Sequence, residues 1–146
     1  EWYGTYAHFR RVYQKAYKEQ QQKRRLMLVA DMNGFPIAQV FLLLEMPVTK
    51  RNERVAYLYS LRVIDHMRGM GIGSRLLRFA EGLLRYRGYH WAVISATKAN
   101  EGARRLYERN GYLVYGEDDG RWSYEDHQGK KIQVDEPAWM LHKKLR

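Results

Sequence analysis

The sequence predicts a single α/β domain built on a mixed sheet flanked by helices, and three observations carry that expectation. The 146 residues, 45% of them hydrophobic, supply one core of ordinary size and no second. Asn33-Gly34 separates two apolar runs, Leu26 to Ala30 and Phe35 to Leu44, which is the strongest short-range signal of an antiparallel hairpin. Farther on, a strand pattern, a glycine-rich loop, a helical pattern and an almost continuously apolar run follow one another in the order of a right-handed crossover between parallel strands.

Taken along the chain, Tyr6, Phe9, Val12, Tyr13, Ala16 and Tyr17 recur at three-and-four spacing and predict a helix with one apolar stripe. The hairpin follows. A polar loop with Pro47 and Lys50-Arg51-Asn52-Glu53-Arg54 leads into a predicted central strand from Val55 to Ile64, with Val55, Tyr57, Tyr59, Leu61 and Val63 on one face. After the glycine-rich loop, Ile72, Leu76, Phe79, Ala80, Leu83 and Leu84 form the stripe of a second helix. Arg75, Arg78, Gly82 and Arg85 lie opposite, and Gly88 is placed to end it. Trp91-Ala92-Val93-Ile94-Ser95 reads as a parallel strand covered on both faces. Ala103, Leu106, Tyr107 and Asn110 mark a shorter helix closed by Asn110-Gly111, and Tyr112 to Tyr115 a further strand. Arg121 to Tyr124 and Lys131 to Val134 pattern as a hairpin around Gln128-Gly129, and Trp139 to Leu145 as a last strand.

Composition narrows the chemistry. With 26 Lys and Arg against 16 Asp and Glu, the formal charge of +10 attracts polyanions, so coenzyme A, nucleic acid and acidic membranes all qualify, while scattered surface cations explain the charge equally well. There is no cysteine, which excludes disulfides, thiolate metal sites and a cysteine nucleophile. The apolar run Val40 to Leu44, broken by Gln39 and Glu45, falls far short of the roughly 20 residues that cross a bilayer. No signal peptide is visible, and cytoplasm is the default expectation.

The segment that carries chemistry is Arg68-Gly69-Met70-Gly71-Ile72-Gly73, followed by Ser74, between the central strand and its helix. Glycines at alternate positions let the backbone turn sharply and approach a ligand. The N–H groups of the first helical turn then point at the same spot with the positive end of the helix dipole. A pyrophosphate suits it, and Arg68 adds a full charge beside it. A P-loop is excluded, because G-x-x-x-x-G-K-S/T does not occur. A dinucleotide fingerprint fails too: Gly71-Ile72-Gly73-Ser74-Arg75-Leu76 has leucine where the third glycine belongs. A glycine turn without a ligand stays open on the motif alone.

The motif has company. The R-x-x-G-x-G stretch after a strand ending Leu61-Arg62-Val63, together with Asn100-Glu101-Gly102-Ala103-Arg104-Arg105-Leu106-Tyr107-Glu108-Arg109-Asn110-Gly111-Tyr112, resembles the two signature motifs of the GNAT N-acetyltransferases, in register from about Tyr57 to Tyr115. The resemblance implies the GNAT-type acyl-CoA N-acyltransferase fold, with splayed parallel central strands, over residues 1–146 as one domain. It implies acetyl-CoA as acetyl donor, no metal, and a small-molecule or peptide amine as acceptor. It also implies that backbone groups around Leu61, Arg62 and Val63 hold the pantetheine arm and that Arg68, Gly69, Met70, Gly71, Ile72, Gly73 and Ser74 cradle the pyrophosphate. Asn100 would contact the coenzyme arm and Tyr107 would face its sulfur. Read as residues alone, Asn100 equally suits a helix N-cap and Tyr107 a core aromatic.

Backbone groups left unpaired where strands splay, often at a bulge, can pair with an amide-containing arm and polarise a thioester carbonyl. Without a cysteine to carry the acetyl group, the expected route is direct attack by the amine in a ternary complex, with Tyr107 as the acid for the departing thiolate. The general base is unassigned: no carboxylate lies between Val55 and Ile64, and Glu45, Asp65, His66, Glu125, Asp126 and His127 are candidates without positional support.

Two departures from the family pattern stand out: its first strand is expected to be missing, which would leave a sheet edge open to a homodimer, and Gly116 to Pro137 is long for a simple connection. The rival reading is a non-catalytic acyl-CoA-binding or basic nucleic-acid-binding module. The interleaved Tyr and Arg would suit base stacking, but the chain shows no pattern of a recognised nucleic-acid module.

Overall fold

The structure, a computed structural model, describes residues 24–146. The helix predicted over Tyr6 to Tyr17, and the start of the chain, where the family's first strand was expected to be missing, lie outside these residues. Eight strands and two α-helices are described: β1 (Arg25–Met32), β2 (Phe35–Leu43), β3 (Val55–Val63), α1 (Ile72–Tyr86), β4 (Trp91–Thr97), α2 (Glu101–Arg109), β5 (Leu113–Asp118), β6 (Arg121–Glu125), β7 (Lys131–Asp135) and β8 (Ala138–Lys144). They make a mixed six-stranded sheet in the order β1-β2-β3-β4-β8-β5 and a separate β6-β7 ribbon. The predicted fold class is the observed one. Residue contacts divide the chain into two compact units, one running to Ala92 and including Lys144–Arg146, the other spanning Val93–Lys143.

In the first unit, the hairpin forms where Asn33-Gly34 predicts it. Asn33 (φ +53°) and Gly34 (φ +83°) both take left-handed backbone, as a two-residue hairpin turn requires, and the Asp31 carboxylate accepts the Gly34 N–H at 3.0 Å. β2 pairs antiparallel with β1 and with β3. Its residues Ile37 to Leu42 are all buried. Helix α1 packs on this antiparallel sheet through Leu76, Leu77, Ala80 and Leu84, while Ala56 and Leu58 of β3 are fully buried.

Two details differ from the predicted stripes. Phe79 is exposed and Glu81 is buried, because Glu81 lies between Leu77 and Leu84 at helical spacing whereas Phe79 sits at the stripe's edge. In β3 the alternation breaks: Tyr59 pairs with Phe41 and Arg62 with Gln39, so one residue of β2 faces two of β3, Ser60 and Leu61. That bulge moves Val63, paired with Ala38, to the face opposite the tyrosines, and Val55, Tyr57, Tyr59, Leu61 and Val63 do not share one face.

Both helices end in the same way. At α1, Gly88 (φ +86°) donates to Arg85 O at 3.0 Å and Tyr89 donates to Leu84 O at 2.9 Å. At α2, Gly111 (φ +92°) donates to Glu108 O and Tyr112 to Tyr107 O, each at 3.0 Å. This paired closure satisfies carbonyls the helix would otherwise strand and seats the following aromatic against the last turn.

In the second unit, Ile94 of β4, Tyr112 and Leu141 of β8 form the core, with Tyr112 fully buried. β5 pairs antiparallel with β8. The predicted hairpin after Gly116 is the β6-β7 ribbon, pairing Trp122 with Val134 and Tyr124 with Ile132. Trp122 and Tyr124 stay about half exposed, and their rings lie 5.4 Å apart.

His142 of β8 stacks on Tyr115 of β5 with ring centroids 4.5 Å apart, and burial lowers its pKa from the ordinary histidine value of 6.5. The folded state therefore binds this proton less readily than the unfolded chain. The stability His142 contributes is complete above about pH 6.5 and is lost as pH falls toward the lowered folded value. Urea unfolding at about pH 7.5 and pH 5 should show the parent midpoint falling more steeply than that of His142→Phe, which keeps a ring and removes the proton site. Equal slopes would deny His142 this role.

Candidate coenzyme site

The site elements of the first unit begin at the bulge in β3. Ser60 sits at φ +53°, a left-handed conformation uncommon for a residue with a side chain, and its carbonyl accepts from Gln39 Nε2 at 3.3 Å. The extra residue interrupts regular pairing with β2 just before Leu61, Arg62 and Val63. Leu61 and Val63 are partly buried, whereas Arg62 is exposed. The ladder closes at the next residue, where Ile64 donates to Ile37 O at 3.0 Å.

A single 3-10 turn, Asp65–Met67, carries the chain into the glycine loop. Gly69 (φ +79°) and Gly71 (φ +78°) are left-handed, Gly71 is the N-cap of α1, and no side chain caps the helix. A Cβ added at either glycine would meet nothing within 4 Å, so these positions border open space and their need for glycine is one of backbone conformation. The ladder of α1 starts with Arg75 N–H donating to Gly71 O at 3.1 Å. No acidic residue stands in the first turn, so neither a side-chain acceptor at Gly71 nor a carboxylate offsets the positive end of the helix dipole. Gly73 is buried in α1, and Ile72 and Ser74 are partly buried.

Arg68 turns back on its own strand. Its Nε donates to Val63 O at 3.2 Å and its guanidinium lies 3.2 Å from the Asp65 carboxylate, both side chains about two-thirds exposed. An exposed pair of this kind contributes about 0–1 kcal/mol. Beside the loop, Met67, Met70, Ile72 and Arg75 line one side of an open groove of about 670 Å³ whose other side includes Val29 and Met32 of β1.

In the second unit, α2 holds the other two predicted residues. Asn100 is the N-cap: its Oδ1 accepts Ala103 N–H at 3.0 Å. Tyr107 lies two turns on, 7% exposed, its ring 6.2 Å from that of Tyr112. The helix closure accounts for this contact, since the Tyr107 carbonyl accepts Tyr112 N–H and draws one ring against the other.

The structure thus joins Val63 to Arg68 directly, and sets Asn100 and Tyr107 on one helix. Among the base candidates, Glu45, Asp65, His66, Glu125 and His127 are exposed. Asp126 instead ties the β6-β7 turn, its Oδ1 accepting the Gln128 and Lys130 N–H groups. The sequence reading missed Ser60 and Gln39, although Gln39 stood out as the polar residue in an otherwise apolar strand.

A bulged strand running through a glycine loop into an uncapped helix, on a mixed sheet, defines the class: an acyl-CoA-dependent acyltransferase fold. The chain belongs to the acetyltransferase (GNAT) family, whose family model matches residues 1–112. It is an acyltransferase of a family that takes acetyl groups from acetyl-CoA and delivers them to amines. Among solved structures it is similar to the ribosomal-protein-alanine N-acetyltransferase of Brucella melitensis, with TM-score 0.70 and 19% identity over 92% of this chain and 77% of that one. It is also similar to the ribosomal-protein-S18-alanine N-acetyltransferase of Escherichia coli, with TM-score 0.66 and 21% identity over 90% and 76%. An aminoglycoside 6'-N-acetyltransferase complexed with coenzyme A matches with TM-score 0.64 and 16% identity over 88% and 77%. At these identities the likeness shows the fold. No curated protein sequence matches significantly.

The cap at Asn100 gives a direct test. Asn100→Ala should lower the urea midpoint by an amount worth about 1 kcal/mol, while Asn100→Ser, which keeps an acceptor, should retain most of it. An unchanged midpoint in the alanine variant would show that the cap contributes nothing.

Proposed function

We propose that residues 1–146 act as one N-acetyltransferase domain in which the start of α1 binds the pyrophosphate of acetyl-CoA and a primary amine attacks the thioester directly. The observation that carries this is the uncapped N-terminus of α1 behind the left-handed Gly69 and Gly71, bordered by open space. Oriented N–H groups at such a helix start favour an anion without any cation nearby. In this reading the backbone of Leu61, Arg62 and Val63 pairs with the pantetheine arm, Arg68 to Ser74 surround the pyrophosphate, and Asn100 meets the coenzyme arm through its Nδ2, since its Oδ1 serves the helix cap.

The amine nitrogen forms a bond to the acetyl carbon, the C–S bond breaks, the thiolate takes a proton from the Tyr107 hydroxyl, and the proton that the nitrogen sheds in becoming an amide returns through water to the phenolate. A phenol of ordinary pKa about 10 donating to a thiolate whose acid has pKa about 8.5 makes a slightly uphill, short transfer. A protonated amine of pKa about 10 must lose its proton before attack, and water or an exposed carboxylate serves as base. The acceptor is a small-molecule or peptide amine. The discriminating experiment is thiol release from acetyl-CoA over a panel of polyamines, amino acids, aminoglycosides and peptide N-termini; release with none of them would overturn the reading.

Two variants refine it. Gly71→Val puts a β-branched side chain at a left-handed position and in the path of a ligand, so calorimetry on the folded variant should show acetyl-CoA binding weakened about ten-fold or more. Unchanged affinity would remove the loop from the site. Tyr107→Phe keeps the buried ring and its packing on Tyr112, so stability and coenzyme affinity should stay near parental while kcat drops about ten-fold or more. Parental turnover with chemistry rate-limiting would make Tyr107 a packing residue.

A further inference from the structure

Only two polar side chains other than tyrosines are buried among the described residues, Gln39 and Glu81, and Gln39 sits in the middle of β2 between Ala38 and Val40, with Val29 of β1 and Arg62 of β3 as its cross-strand partners. A primary amide in such surroundings is costly unless its donors find acceptors, so its placement asks for a reason. The hydrogen bonding supplies one. Gln39 Nε2 donates to the carbonyl of Ser60, the residue whose φ of +53° marks the bulge, while the Gln39 backbone is in register with Arg62 on the far side of that bulge. One residue of β2 therefore grips both ends of the irregular segment, the side chain at Ser60 and the main chain at Arg62.

The consequence concerns direction. Regular pairing would turn Leu61, Arg62 and Val63 to faces opposite to those they take, because one residue more or less in β3 inverts every side chain and every N–H after it. Serine has no intrinsic preference for the left-handed region, so the conformation must be held by its surroundings. We infer that Gln39 is a positioning residue for the acyl-transfer site: its side-chain hydrogen bond to Ser60 O holds the bulge and so fixes the orientation of the Leu61–Val63 backbone groups. This rests on the proposed role of that backbone in holding the coenzyme arm.

The experiment uses the full chain. Gln39→Leu removes the donor and keeps the volume. Amide hydrogen exchange at Leu61 and Arg62 should quicken about ten-fold and kcat should fall by a similar factor. Acetyl-CoA affinity, supplied chiefly by the glycine loop, should stay within about three-fold. Adding Ser60→Gly, which enters the left-handed region freely, should restore at least half of the lost kcat and slow the exchange again. A residue that mattered only for core packing would gain nothing from that second change. Parental exchange and turnover in Gln39→Leu, or a loss that Ser60→Gly leaves untouched, overturns the inference. If Gln39→Leu does not fold, Gln39→Met carries the same comparison with a longer, flexible apolar side chain. If the parent chain acetylates no amine, the reaction proposed above fails. The exchange at Leu61 and its recovery with Ser60→Gly still decide whether Gln39 holds the bulge.

Discussion

One extra residue in β3 is the constraint on which the course of the chain from β3 into the glycine loop depends. Between Tyr59 and Arg62 the strand carries two residues where β2 carries one, and everything downstream takes its direction from that mismatch. Ala56 and Leu58 before it are fully buried, which pins the first part of the strand to one facing. Val63 after it pairs with Ala38, on the face of β2 that also carries Val40 and Leu42. A strand buried on a fixed face at one end and leading into a ligand loop at the other can change its facing only by such a bulge, and the left-handed Ser60 is where the change occurs.

The glycine loop takes over at Arg68, after the end of β3 and the turn Asp65–Met67. In the proposed site, anion recognition falls to backbone more than to side chains. Arg68 is already engaged, through Val63 O and the Asp65 carboxylate, and to reach a phosphate it would have to leave a surface pair contributing about 0–1 kcal/mol. That is a small barrier, but it means the guanidinium arrives as an addition, whereas the N–H groups at the start of α1 stand oriented without any rearrangement. The absence of an acidic residue from the first turn points the same way, because a carboxylate there would occupy the place of the ligand's charge. The +10 formal charge of the chain raises the local concentration of a polyanionic coenzyme without specifying where it binds.

What the sequence made legible follows from how local each signal is. Asn33-Gly34, Gly88 and Gly111 declare turns and helix ends through backbone conformation, and each appears where it was expected; paired hydrogen bonds close both helices there. The weaker patterns after Gly116 also became strands, since alternation and turn residues coincide there. The bulge was not legible. Its cause is a register relation between β2 and β3, residues some twenty apart in sequence, and alternation read along β3 alone assigns Val63 to the wrong face. Phe79 was misplaced on α1, and the buried Glu81 was left unassigned, for a similar reason: periodicity gives the direction of a stripe but not its width, and the partner surface decides which edge residue is covered.

The two readings of Asn100 and Tyr107 that the residues alone left open turn out not to compete. Asn100 caps α2 with its Oδ1, and a cap uses one acceptor, so the Nδ2 of the same amide retains both its donors for another acceptor. Tyr107 packs its ring on Tyr112 because the helix closure brings the two together, and ring packing involves carbon faces while proton donation involves the hydroxyl. In each case the structural role fixes the side chain's direction, and the polar group proposed to act is a different part of the same side chain. A helix cap and a buried ring are, on this argument, what give the proposed contacts their geometry, since a side chain held by one interaction loses little further entropy on making a second.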